Sequence, residues 1–97
     1  MLFTLICTDK PGALPIRQAT RPAHLGHLRA HEPTLRFAGP LLDAEGNPSG
    51  SLFLLEAPDR AAVEAFAAAD PYTAAGLFES TVIRAVREVA RDGKLLA

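Results

Sequence analysis

Ser51-Leu52-Phe53-Leu54-Leu55-Glu56 is the stretch on which the fold turns. Four successive apolar residues in a short run suit a strand, and side chains that alternate across a strand then place apolar groups on both faces. Such a strand is usually central in a sheet covered on both sides. Helices can supply one cover, and a partner subunit is expected to supply the other. The polar segment before it, Asp43 to Gly50, carries Gly46-Asn47-Pro48 and Ser49-Gly50 and reads as a hairpin-type connection. The strand ahead of that hairpin is Thr34-Leu35-Arg36-Phe37-Ala38, in which Leu35 and Phe37 alternate with Arg36 and Ala38. Gly39-Pro40 is expected to break it.

Working outward, Leu2 to Thr8 is a short apolar run and the first strand, with Leu2, Thr4 and Ile6 on one face and Phe3, Leu5 and Cys7 on the other. Asp9-Lys10-Pro11-Gly12 is a turn, since proline fixes φ and glycine permits positive φ. The first helix is expected from Arg17 or Thr20 to Glu32, with Thr20 a possible cap and Pro22 in its first turn. Leu25 and Leu28 share its apolar face. Glu32-Pro33 ends it, because the residue before proline is pushed out of the α region. Asp59 is a good N-cap for a second, alanine-rich helix that buries Val63, Phe66 and Ala67. Asp70-Pro71-Tyr72 ends that helix and can open a short third one. Phe78 to Val89 reads as a long strand, Asp92-Gly93 as a turn, and residues 90–97 as a C-terminal tail of a single domain spanning 1–97.

The order is β-α-β-β-α-β. It predicts an α+β, ferredoxin-like domain: a four-stranded antiparallel sheet with two helices on one face. The other face is then bare. Phe3, Leu5, Phe53, Leu55 and Ile83 are the candidates for it, and two such sheets packed face to face would form a homodimer through the open face.

Length and composition narrow the function. Ninety-seven residues allow one domain and one core. Charges nearly balance, at a formal −1, and no basic stripe with interleaved aromatics is present, so nucleic acid is not expected as a partner. No apolar run approaches the ~20 residues that span a bilayer, so no membrane partner is expected either. The first residues lack a positive n-region and a long apolar h-region, and the expected location is cytoplasmic. One cysteine excludes an internal disulfide and a cysteine-based zinc site. No cofactor motif is visible.

His24 is the sharpest chemical candidate. An imidazole gives or takes a proton near neutral pH, and a carboxylate partner would hold its tautomer and stabilise the imidazolium. Asp70 is the nominee, an acid at the negative end of the second helix's dipole. The plain alternatives are a helix-edge histidine and an aspartate that merely caps the short helix. Ser51 can donate to a substrate oxygen, but nothing resembles a strained nucleophile elbow, and a strand-start serine is the plain alternative. Tyr72 can line a pocket or simply pack. Arg17 and Arg21, four apart, can bind an anion or be solvated helix charges. His24, His27 and His31 share a broad helical sector that is permissive for zinc or nickel. No second ligand cluster is visible, so no metal is expected. Cys7 alternates with Phe3 and Leu5 and reads as a small buried hydrophobe.

The assembled motifs resemble one family. They are Thr8-Asp9-Lys10-Pro11-Gly12-Ala13-Leu14, Arg17 with Arg21-Pro22-Ala23-His24-Leu25, Ala38-Gly39-Pro40-Leu41, Gly50-Ser51-Leu52, Ala69-Asp70-Pro71-Tyr72 and Ala75-Gly76-Leu77-Phe78. In this order they are similar to the YciI-like proteins (YCII-related domain) of the dimeric α/β-barrel superfamily, over nearly the whole chain. The resemblance implies a ferredoxin-like fold, a homodimer and a His–Asp active site, carried here by His24 and Asp70. Some members of the family are dehydrochlorinases acting on chlorinated aromatic ring-cleavage precursors, and related dimeric barrels include muconolactone isomerases and monooxygenases. His27 stands where the family often has an aromatic or apolar residue, and neither it nor His31 gains a role from the resemblance. The expectation is therefore a small cofactor-independent acid/base enzyme, an isomerase, lyase or hydrolase acting on a small cyclic or aromatic oxygenated metabolite. The alternative is a non-catalytic dimeric ligand binder or scaffold.

Overall fold

In the computed structural model, which describes residues 1–96, the strand β1 (Leu2–Asp9) lies at the heart of the sheet. It pairs antiparallel with β3 (Pro48–Glu56) on one side and with β4 (Phe78–Val86) on the other. The edge strand β2 (Leu35–Leu42) completes the order β2-β3-β1-β4. Helices α1 (Leu14–Ala30) and α2 (Arg60–Ala69) and the short α3 (Pro71–Ala74) make the expected ferredoxin-like domain.

The covered face is the opposite of the one read from the alternation. Phe53, Leu5 and Ile83 form one cross-strand row, with Phe3 and Leu55 beside it, and all five are buried beneath the helices with Val63 and Phe66. The bare face carries Leu2, Ile6, Leu52 and Leu54, half-buried, with the exposed Val82 and Val86. Both faces of β1 and β3 are apolar, so the pattern fixes which residues share a face but not which face the helices take. A register shift between Leu35 and Phe37 also separates two residues that alternation had put together. Leu35 packs toward the core, while Phe37, paired with Leu54, is exposed and lies over Gly39. An extra residue in one strand turns the side chains beyond it to the other face.

Boundaries also move: β3 begins at Pro48 rather than Ser51, and β4 stops at Val86 rather than Val89. Helix α1 begins at Leu14, six residues before Thr20, and runs through Pro22. Pro15 occupies its first turn, where a missing N–H costs nothing. Pro22 is then internal and leaves one carbonyl of the preceding turn without its helical donor. The helix tolerates this because Arg17 and His24, two turns apart on one side, are both buried against the sheet and α3. Strand β2 continues through Gly39-Pro40 to Leu42. It is an edge strand, where a proline need not donate to a ladder.

Local chemistry accounts for the remaining elements. Asp59 Oδ1 accepts from the Ala62 amide at 2.9 Å and caps α2. Asp70 caps α3 in the same way, accepting from the Tyr72 amide at 2.9 Å. Gly76, at φ 72°, reverses the chain so that Leu77 is fully buried and β4 can begin. Residues 90–95 of the expected C-terminal tail form a small hairpin, β5 (Ala90–Arg91) with β6 (Lys94–Leu95). Its turn at Asp92-Gly93 has positive φ at both residues, the backbone that a two-residue hairpin loop needs.

Candidate active site

Helix α1 does not lie flat on the sheet. Between it and strands β2 and β3 is a cavity of about 250 Å³. Arg17, Arg21, His24, Ser51 and Tyr72 line it, together with the apolar Leu25, Leu28, Ala38 and Phe53. Asp70 stands directly behind His24. Five of the six residues singled out in the sequence therefore share one wall, and the sixth supports it.

His24 Nδ1 lies 2.9 Å from Asp70 Oδ1. A carboxylate only accepts, so Nδ1 carries the proton, and in the neutral ring the lone pair sits on Nε2. The same Oδ1 takes the Tyr72 amide, so one aspartate both caps α3 and holds the histidine. The pair is buried, with only 8% of His24 and 2% of Asp70 exposed. Proximity to so little water strengthens the hydrogen bond. The imidazole also stacks on the Tyr72 ring at 4.0 Å between centroids and 18° between planes, and meets Phe53 edge-on. Its orientation is thus fixed by one hydrogen bond and two ring contacts.

The other end of the wall is built around Arg17. Its Nε donates to Asp9 Oδ2 at 2.8 Å, and its Nη2 donates to Asp9 Oδ1 and to Ser51 Oγ, each at 2.9 Å. The guanidinium carbon lies 4.7 Å from the Tyr72 ring centroid. Burial works against the Arg17 charge, but the paired carboxylate of Asp9 outweighs it and holds the guanidinium's pKa above its ordinary value. Burial raises the Tyr72 phenol, with the charges of Arg17 and Arg21 pulling the other way. Arg21 is exposed at the rim.

Asp9 is the residue that the turn reading concealed. Its side chain is only 6% exposed. The signal was available: Phe3, Leu5 and Cys7 set the inward parity of β1, and one more step of two lands on Asp9. An acid at the end of an inward-facing row, eight residues before an arginine, has a partner to find.

The three histidines do not converge. His24 turns to Asp70, while the His27 and His31 rings lie tilted with centroids 4.6 Å apart and both pack on Phe66. Among the described residues no group of three His, Cys, Asp or Glu side chains is placed to hold a metal ion. Cys7 is cross-strand from Ser51 and buried on the inward face of the sheet.

Comparison with known proteins places the chain and its fold. A family model, the YCII-related domain, matches residues 1–87. Protein YciI of Escherichia coli O6:H1 is 34% identical over 97 residues, covering 92% of this chain and 99% of its own. Among solved structures, the 5-chloro-2-hydroxyhydroquinone dehydrochlorinase TftG of Burkholderia phenoliruptrix AC1100 is 33% identical and superposes with a TM-score of 0.85, over 90% of this chain and 94% of its own. That protein was solved in complex with 2,5-dihydroxybenzoquinone. An antibiotic biosynthesis monooxygenase, 22% identical, matches 93% of this chain and all of its own with a TM-score of 0.55, a likeness of fold alone. No described helix is long and apolar enough to cross a membrane.

Proposed function

We propose, for a chain that belongs to the YCII-related domain family, that it is a small acid/base enzyme in which His24, oriented by Asp70, moves a proton on a cyclic oxygenated metabolite. The observation that carries this is the buried 2.9 Å His24–Asp70 hydrogen bond on the wall of the cavity. With Nδ1 committed to the carboxylate, Nε2 is the nitrogen that accepts a proton, and Asp70 stabilises the imidazolium that results. Ser51, Tyr72, Arg17 and Arg21 hold the substrate. The cavity volume suits one substituted six-membered ring better than a larger ligand.

An elimination fits these parts. His24 Nε2 takes a proton from the substrate, the electron pair released moves through the ring, and the bond to a leaving group such as chloride breaks with its electrons. The imidazolium then returns the proton to solvent. The relative with 33% identity supports this reaction type by its name. Isomerisation uses the same first step and returns the proton to a different atom. The working unit is a homodimer joined through the bare sheet face.

The test is chloride release from 5-chloro-2-hydroxyhydroquinone and proton exchange on related hydroxyquinones. A His24→Asn variant, which keeps a hydrogen-bond donor toward Asp70, is expected to lose at least about a hundredfold in kcat, the usual worth of a placed acid or base. Full turnover by a folded His24→Asn protein would sink the proposal. Saturable thermal-shift binding of such rings by the native protein, with no product by mass spectrometry, would assign it to the ligand binders instead.

A further inference from the structure

The Arg17 end of the cavity holds more hydrogen-bond donors than its own acceptors consume. A guanidinium has five N–H bonds. In Arg17 the Nε hydrogen and both Nη2 hydrogens are spent on Asp9 and Ser51. The Tyr72 hydroxyl is the one further acceptor that bears on the guanidinium, and among the described residues no carboxylate takes the Nη1 hydrogens of this cavity-lining side chain. Ser51 Oγ accepts from Nη2, so its own proton points away from Arg17, and no described group receives it. Arg21, one turn along the helix, lines the same cavity and makes no ion pair among the described residues. Asp9 balances the charge of Arg17, which leaves the charge of Arg21 uncompensated. Beyond His24 the lining changes to Leu25, Leu28, Ala38 and Phe53.

We infer that the ligand of this cavity is a ring acid bound as its anion. Its ionised oxygen sits against Arg17 Nη1, Ser51 Oγ and Arg21, its ring lies toward Leu25, Leu28 and Phe53, and its reacting position faces His24. The inference rests on the reading of this cavity as the substrate site. An anionic oxygen is the group that accepts several converging donors at once, and charge-assisted bonds are the strong ones. Asp9 is a positioning residue. It spends the inner edge of the guanidinium and so aims Nη1 and the Ser51 proton at one place. A neutral ring carbonyl would use two of these donors and leave a cation partly desolvated beside it, which costs affinity.

The anion can be a carboxylate or an acidic enol, and two matched pairs of probes separate them. Benzoate is compared with benzamide, and 2,5-dihydroxybenzoquinone, an acidic enol, with its neutral dimethyl ether. Binding is followed by calorimetry and amide NMR at low ionic strength, since an exposed arginine is screened by salt. At least one anion is expected to bind about tenfold or more tighter than its neutral partner. Arg21→Gln, an exposed substitution, and Ser51→Ala, a near-isosteric one, are each expected to shrink that ratio severalfold. A reduced ratio in either variant supports the inference. It is overturned if neither anion outbinds its neutral partner, or if the ratio is unchanged in both folded variants. Binding read this way needs no turnover. A protein that selects anions but converts none would fail the catalytic reading and leave this one standing.

Discussion

At the scale of single residues, Cys7 shows how the site's surroundings set chemistry that the residue type alone does not. It is 1% exposed, and burial first, then the negative charge of Asp70, pushes its thiol from an ordinary 9.0 up to about 12. Arg17 pulls the other way and does not prevail. A native thiol this far from ionising is a poor nucleophile. At pH 8 the folded protein is expected to leave a thiol-disulfide reagent such as DTNB unreacted, and to react one-for-one after denaturation. Prompt reaction in the native state would contradict this. The same shift has a stability consequence. Above about pH 9 the unfolded chain releases the thiol proton while the folded chain keeps it. Stability is complete below that point and falls as pH rises toward 12, with the raised Tyr72 phenol adding to the loss above its ordinary value. A Cys7→Ala variant would flatten the first part of that alkaline slope. Most of the site's chemistry was legible one residue at a time: His24, Asp70, Ser51, Tyr72, Arg17 and Arg21 each had a chemical reason to be singled out. Asp9 did not stand out, because a carboxylate beside Lys10-Pro11-Gly12 reads as turn chemistry until the inward parity of β1 is followed one step further.

At the scale of elements, the type and order of the main strands and helices followed from periodicity and turn residues, while their limits followed from packing that no local window contains. Pro22 read as part of the helix's first turn and Pro40 as a break, yet one is absorbed inside α1 and the other at the sheet edge. The burial of Arg17 and His24 on one helix side, and the edge position of β2, are tertiary facts. Gly50 is a related case. In the sequence it belongs to the hairpin turn, but in the fold it is a buried strand residue at which β1 comes very close. A Cβ added there would stand 2.5 Å from the Cys7 carbonyl oxygen, with Leu41 Cδ1 at 3.3 Å. The first of these atoms is backbone in the central strand and cannot swing aside. Gly50→Ala is therefore expected to push β3 from β1 at the very point where Ser51 meets Arg17. Overpacking of this kind costs about 1–3 kcal/mol. For a domain of this size each kcal/mol lowers the melting temperature by about 4–8 °C. Thermal denaturation checks it, and a melting point equal to that of the native chain would show that the strands shift at no cost.

At the scale of the whole molecule, the unresolved question for the sequence was which side of the sheet is bare. Phe3, Leu5, Phe53 and Leu55 are as apolar as Leu2, Ile6, Leu52 and Leu54, and only the helices' choice of side distinguishes them. That choice leaves Leu52, Ile6 and Val82 in one cross-strand row on the open face, with Leu54, Val86 and the exposed Phe37 around it. A patch of this extent is an association surface more often than a solvated one. A second copy is its natural cover, because a two-fold axis through the row sets the same residues against themselves. Sedimentation at micromolar concentration is expected to give twice the 10.3 kDa chain mass. Val82→Arg tests the surface itself. Val82 is 48% exposed in the single chain, so the substitution is cheap there. In the dimer it would bury two like charges, one from each copy, in an apolar interface, at a cost of several kcal/mol. The variant should run as a folded monomer with unchanged circular dichroism. A native chain that is monomeric under these conditions, or a Val82→Arg protein that remains a dimer, would place the subunit contact elsewhere. The cavity lies on the opposite, helix-covered side of the sheet, so the monomeric variant also shows whether the His24 site needs the partner to work.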